Sequence, residues 1–207
     1  MTLMRALFVI LLFHTFGVAA QETPAKVQQG LTPEITEKLR RGGLNIFFRH
    51  GATLHEKDPV ESQTDDPLPA NCALQRNLSR EGVEQMRAVG AAFDALEIPV
   101  GSVRASPLCR CYDSAWHAFG RAERDRNLML NGDTPEGDPS QARPWRHMRN
   151  LGKVPPAALT NSVFISHSRT GEIFGTDVLM EGEAVIVEPD GKGGWKLLAR
   201  VTADEWK

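Results

Sequence analysis

The apolar run Leu44-Asn45-Ile46-Phe47-Phe48 stops abruptly at Arg49-His50-Gly51. A short buried strand running straight out into a loop has this pattern, and such strand ends are where open α/β sheets build ligand sites. Arg carries a rigid fork of donors suited to phosphate, and His carries a nitrogen able to attack phosphorus. Two later segments repeat the arrangement. Val100 to Ala105 reads as a second strand, followed by Ser106, Pro107 and then Arg110 in the first turn of a helix. Unpaired N–H groups and the helix dipole favour an anion there. Ser162 to Ser166 reads as a third strand and delivers His167 at a strand-to-helix turn. Arg49, His50, Arg110 and His167 are therefore expected to converge on one edge of a parallel sheet.

The segments between these strands carry helix signals. Thr32 caps a short helix with Pro33 in its first turn and Gly42 at its close. Ser79 caps a longer helix whose apolar positions Val83, Met86, Val89, Phe93 and Leu96 share one face. Arg110 to Gly120 reads as a helix packing through Ala115, Ala118 and Phe119, and Arg169 to Phe174 as a shorter one. Ala184 to Val187 and Trp195 to Val201 form a final strand pair. Gly51 to Asn77 and Leu130 to Pro156 lack periodicity and read as irregular; as loops, Ala52 to Asn77 and Leu130 to Pro156 would form the rim that selects substrate. This alternation of strand and helix predicts a layered α/β fold.

Residues 1–20 combine Arg5, the apolar stretch Ala6 to Phe13 and a small-residue end, Gly17-Val18-Ala19-Ala20. That is the pattern of a secretory signal peptide, with an apolar part shorter than the roughly 20 residues a spanning helix needs. The expected organisation is a signal peptide over 1–20 and one domain over 21–207, exported to a periplasmic or extracellular space without stable membrane insertion after cleavage. A net charge of -2 offers no global attraction for nucleic acid. Export permits a disulfide among Cys72, Cys109 and Cys111, and the odd count leaves one thiol unpaired. A bridge from Cys72 to one of the other two is expected.

Taken in order, these motifs resemble the histidine phosphatase superfamily, with its phosphoglycerate-mutase-like fold. Phe48-Arg49-His50-Gly51 matches its opening signature. Ser106 and Arg110 followed by Asp113-Ser114-Ala115 match its second block, and Ile165-Ser166-His167 its later histidine. Gln75-Arg76-Asn77-Leu78-Ser79 with Gly82 is similar to the segment before the family's first long helix. Glu181-Gly182-Glu183-Ala184, Pro189 and Trp206 are similar to the ending of small exported members. The resemblance implies a three-layer sandwich with a mostly parallel central sheet and helices on both faces. It implies a phosphoric monoester hydrolase working through a phosphohistidine on His50, with Arg49, Arg110 and His167 around the phosphoryl oxygens. No metal and no cofactor are implied, and the partner is a small phosphorylated molecule.

The proton donor to the leaving group is open. Ser168, not a carboxylate, follows His167, and Glu172, Asp133, Glu136 and Asp138 are the candidates. Arg76 reads as a brace for its loop, Arg169 as either a phosphate contact or a helix-start residue, and His55, His117 and His147 as exposed. A metal hydrolase built on His50, His55 and His167 lacks the usual ligand spacing, and Arg49 would repel its cation. A non-catalytic exported module binding a phosphorylated ligand in the same pocket is the alternative function.

Overall fold

The computed structural model describes residues 27–54, 72–130 and 143–207. The segment 1–20 expected to be a signal peptide, His55, and the candidate acids Asp133, Glu136 and Asp138 lie outside them. In chain order the elements are β1 (Gln28–Gln29), α1 (Pro33–Arg41), β2 (Asn45–Arg49), α2 (Arg80–Ala95), β3 (Val100–Ala105), α3 (Cys109–Phe119), β4 (Glu123–Arg124), α4 (Arg143–Lys153), β5 (Asn161–Ser166), α5 (Thr170–Ile173), β6 (Ala184–Pro189) and β7 (Trp195–Val201). Short 3-10 turns lie at Cys72–Leu74, Arg126–Leu128 and Ala203–Glu205.

One sheet runs in the order β1-β7-β6-β2-β5-β3-β4. The pairs β2/β5, β5/β3, β3/β4 and β1/β7 are parallel, and β6 pairs antiparallel with β2 and β7. The pleat of β2 sends Ile46 and Phe48 to one face, under α1, α2 and α3, and Phe47 to the other, under α4 and α5. A strand covered on both faces reads as an unbroken apolar run, which is why alternation is missing from it. The sandwich expected from the resemblance is the observed fold.

The caps behave as their residue types dictate. Thr32 and Ser79 accept from the N–H groups of Ile35 and Gly82, and Gly42 closes α1 at φ 78°. Leu130 to Pro156, expected to be irregular, instead contains α4. Its buried positions Trp145, Met148 and Leu151 are surrounded by Arg143, Arg146, His147, Arg149 and Lys153, and Pro144 stands in the first turn. Three apolar positions in a strongly charged segment give a weak periodic signal, and contact with Phe174 and Val187 supplies the rest. Asn45 explains itself here: buried in β2, its amide donates to the carbonyls of Leu151 and Val154 at 3.0 Å each. The edge strands β1 and β4 are two exposed residues each and acquire their identity only from pairing.

The loop before β6 is locked by an ion pair. Arg200 donates to both oxygens of buried Glu183 at 2.7 and 2.8 Å, and the second oxygen also accepts from the Met180 N–H. Removing one partner of such a pair leaves a buried charge uncompensated. Arg200→Met is therefore expected to lower unfolding free energy by about 3–5 kcal/mol in urea titration. A loss below about 1 kcal/mol would contradict a locking role for the pair.

Candidate active site

Parallel pairing brings the predicted residues together. Arg49 is opposite Ser166 and Ala105 opposite Ile165, so the three strands end at one edge. Backbone bonds extend this register beyond the strands: His50 N–H donates to the Ser166 carbonyl at 3.1 Å, and Ser106 N–H to that of Ile165 at 2.8 Å. His50, Ser106 and His167 consequently emerge side by side. The two imidazoles lie edge to face, with ring centres 5.8 Å apart.

His50 is 2 % exposed, and its Nδ1 lies 2.9 Å from the Gly51 carbonyl oxygen. A carbonyl only accepts, so the proton sits on Nδ1 and the lone pair is on Nε2. Sequence inspection could not name this acceptor because it is backbone. The Gly51 N–H in turn donates to Ser114 Oγ at 3.0 Å, and that hydroxyl donates to the Arg110 carbonyl at 2.6 Å. One serine thus joins the first motif to the second. Close packing also demands glycine: a Cβ on Gly82, in the first turn of α2, would collide with the Ala52 carbonyl. The loop carrying His50 can lie on α2 only because that side chain is missing.

Arg110 is 2 % exposed, and its Nη2 is 3.5 Å from His167 Nδ1. Guanidinium only donates, which leaves the proton of neutral His167 on Nε2, 3.1 Å from Ser106 Oγ. Arg110 therefore faces the pocket and not Asp113. Arg49 is anchored on the other side: Nη1 donates to the Leu179 carbonyl at 2.9 Å and Nη2 to Glu181 Oε1 at 3.3 Å. The same carboxylate oxygen accepts from Thr53 Oγ1 at 2.6 Å.

Ser106 and Glu181, present in the motifs without a role of their own, and Cys111 are further site neighbours. The buried Cys111 Sγ lies 3.7 Å from His167 Nε2 and 3.3 Å from the Ser166 carbonyl. Its position one residue after Arg110 on a helix was the available signal. Cys72 and Cys109 form the expected disulfide, leaving Cys111 as the free thiol. The candidate acid Glu172 is ion-paired with Arg169 at 2.7 Å, and Arg169 also stacks over Trp145. His147, expected to be exposed, is half-buried and bonds Asp125 at 3.0 Å. Among the described residues no cluster of three or more His, Cys, Asp or Glu side chains could hold a metal.

Burial and positive charge act together on the imidazoles. Burial first, then the charge of Arg110, pushes His50 down to about 3, against the pull of its bond to Gly51 and with help from Arg49 and Arg76. Burial and the same arginines hold His167 far below the ordinary histidine range. Both are neutral at pH 7. The unfolded chain binds protons at these groups near the ordinary value of 6.5, while the folded chain does not. The stability tied to neutral His50 is thus complete above pH 6.5 and lost as pH falls towards 3, and His167 acts in the same direction. Each ring should steepen that decline by up to about 1.4 kcal/mol per pH unit. Urea unfolding of wild type and His50→Gln across this window checks the expectation; equal slopes would refute it.

No family model and no curated protein matches the chain. Solved structures do. The protein histidine phosphatase SixA, complexed with tungstate, superposes with a TM-score of 0.54 at 16% identity, covering 79% of this chain and 99% of that one. A phosphoserine phosphatase from Entamoeba histolytica, in complex with 3-phosphoglyceric acid, gives 0.50 at 13% identity, covering 79% and 99%. With its seven-stranded, mostly parallel sheet between two helical layers, the chain has the phosphoglycerate-mutase-like fold that it shares with these solved structures.

Proposed function

We propose that the chain is an exported phosphatase that hydrolyses small phosphomonoesters through a phosphohistidine on His50. The observation that carries this reading is the state of His50: neutral, tautomer fixed by the Gly51 carbonyl, and set among arginine charges. A pocket that merely held phosphate would have no need to orient a lone pair. Nε2 attacks phosphorus, the N–P bond forms and the ester P–O bond breaks, with the electron pair leaving on the ester oxygen. Water then attacks the phosphohistidine and returns the electron pair to Nε2, releasing inorganic phosphate.

Arg49 and Arg110 supply the charge that a transferring phosphoryl group needs on its equatorial oxygens. They take the role a metal plays in other phosphatases, which supports metal-independent turnover. His167 donates from Nε2, at present to Ser106, and is oriented by Arg110. The amino-terminal pattern of residues 1–20 supports export.

Aryl-phosphate hydrolysis by the mature protein in excess chelator tests the reading. Aryl leaving groups depart without a strong proton donor, so an unassigned acid does not hide activity. Chelator-resistant turnover is expected, and a folded but inactive wild type would favour the phosphate-binding module instead.

A further inference from the structure

We infer that Arg76 is a further anion-binding residue of this site, and that the Cys72–Cys109 disulfide with the Gln75–Cys109 hydrogen bond positions it. The inference rests on the phosphate-pocket reading above and extends it to a segment whose arginine looked like a loop brace.

The backbone around Arg76 has little freedom. Cys72 is joined covalently to Cys109, the first residue of α3, with their Cα atoms 5.7 Å apart. Buried Gln75 turns its side-chain oxygen onto the Cys109 N–H at 2.9 Å, filling a helix-terminal donor that would otherwise be open to an anion. On the other side of Arg76, Leu78 bridges to Thr53, three residues beyond His50. Arg76 and Arg110 each follow a residue of the Gln75–Cys109 contact, which brings the two chain segments side by side.

The electrostatics agree with this placement. Beside this geometry, the charge of Arg76 lowers the proton affinity of His50, His167 and Arg49, as a minor contribution after burial and, for the two histidines, after Arg110. A phosphoryl group presents three equatorial oxygens, and a cation delivered from the 72–78 segment adds to Arg49 and Arg110 as a partner for them. The disulfide shortens the search: without it the segment must pay ordering entropy each time an anion binds.

The experiment measures inorganic phosphate binding by calorimetry, beside aryl-phosphate turnover, for the oxidised mature protein. Arg76→Gln is expected to weaken phosphate binding about tenfold to a hundredfold, the worth of one charge-assisted hydrogen bond, with Arg76→Lys recovering part of it. Paired Cys72→Ser and Cys109→Ser substitutions, with Arg76 intact, should weaken binding in the same direction. Adding Arg76→Gln to that pair should then cost less than it does in the oxidised parent. Recovery by lysine separates an anion contact from a fold defect, which lysine would not mend. Phosphate affinity in Arg76→Gln within about twofold of wild type would overturn the inference, as would fully multiplicative losses. Wild-type binding without turnover would defeat the phosphatase reading alone, and the binding comparison would still decide Arg76. A wild type that binds no phosphate would defeat both.

Discussion

Replacing His50 by alanine is expected to reduce aryl-phosphate turnover by a factor on the order of 10⁴ or more, the scale seen when a nucleophile is removed from a cooperating set. It should also abolish the acid-labile phosphate recovered from a rapidly quenched wild-type reaction. The neighbouring imidazole does not replace it. His167 lies with its ring centre 5.8 Å away, and its Nε2 proton is directed to Ser106. Phosphate binding should outlast activity in this variant, because Arg110 and His167 remain. Turnover retained within about tenfold would remove His50 from the chemistry altogether.

Arg110→Gln is expected to cost about 10³–10⁵ in kcat, the range measured when an arginine that neutralises transition-state charge is lost. The argument is positional. Arg110 is almost fully buried, held at the start of α3 and aimed at His167, so its charge is poorly screened and needs no reorganisation as the phosphoryl group moves. A second signature separates this role from simple folding damage. Arg110 is the leading charge that depresses both imidazoles. Its removal should raise both histidine titrations, seen by nuclear magnetic resonance as protonation beginning at higher pH. Lysine should rescue only part of the rate, because a point charge lacks the guanidinium fork. Unchanged histidine titrations together with near-normal kcat would refute the assignment.

Local and short-range signals were legible in the chain. Thr32 and Ser79 announced helix starts because a side-chain oxygen there satisfies an otherwise unpaired N–H. The run before Arg49 announced a strand buried on both faces. Arg49, His50, Arg110 and His167 were nameable because parallel strands place their C-terminal residues at one edge, and a resemblance in motif order said which edge residues mattered. α4 was missed where charge outnumbered its three buried positions, and β1 and β4 where two polar residues carry no pattern of their own.

What the sequence determined by itself was therefore the five longer strands and the residue types available for phosphate chemistry. These depend on periodicity and on capping, which are properties of neighbours along the chain. Only the tertiary structure decided how those residues are used. The Gly51 carbonyl that orients His50, the Ser114 hydroxyl between two motifs, and the Glu181 carboxylate on Arg49 are contacts between distant segments. The depressed proton affinity of the histidines belongs to the same class, since burial and neighbouring charge exist only once the sheet has gathered its ends. Linear spacing encodes which groups can meet; the direction of a lone pair and the charge around it arise from packing.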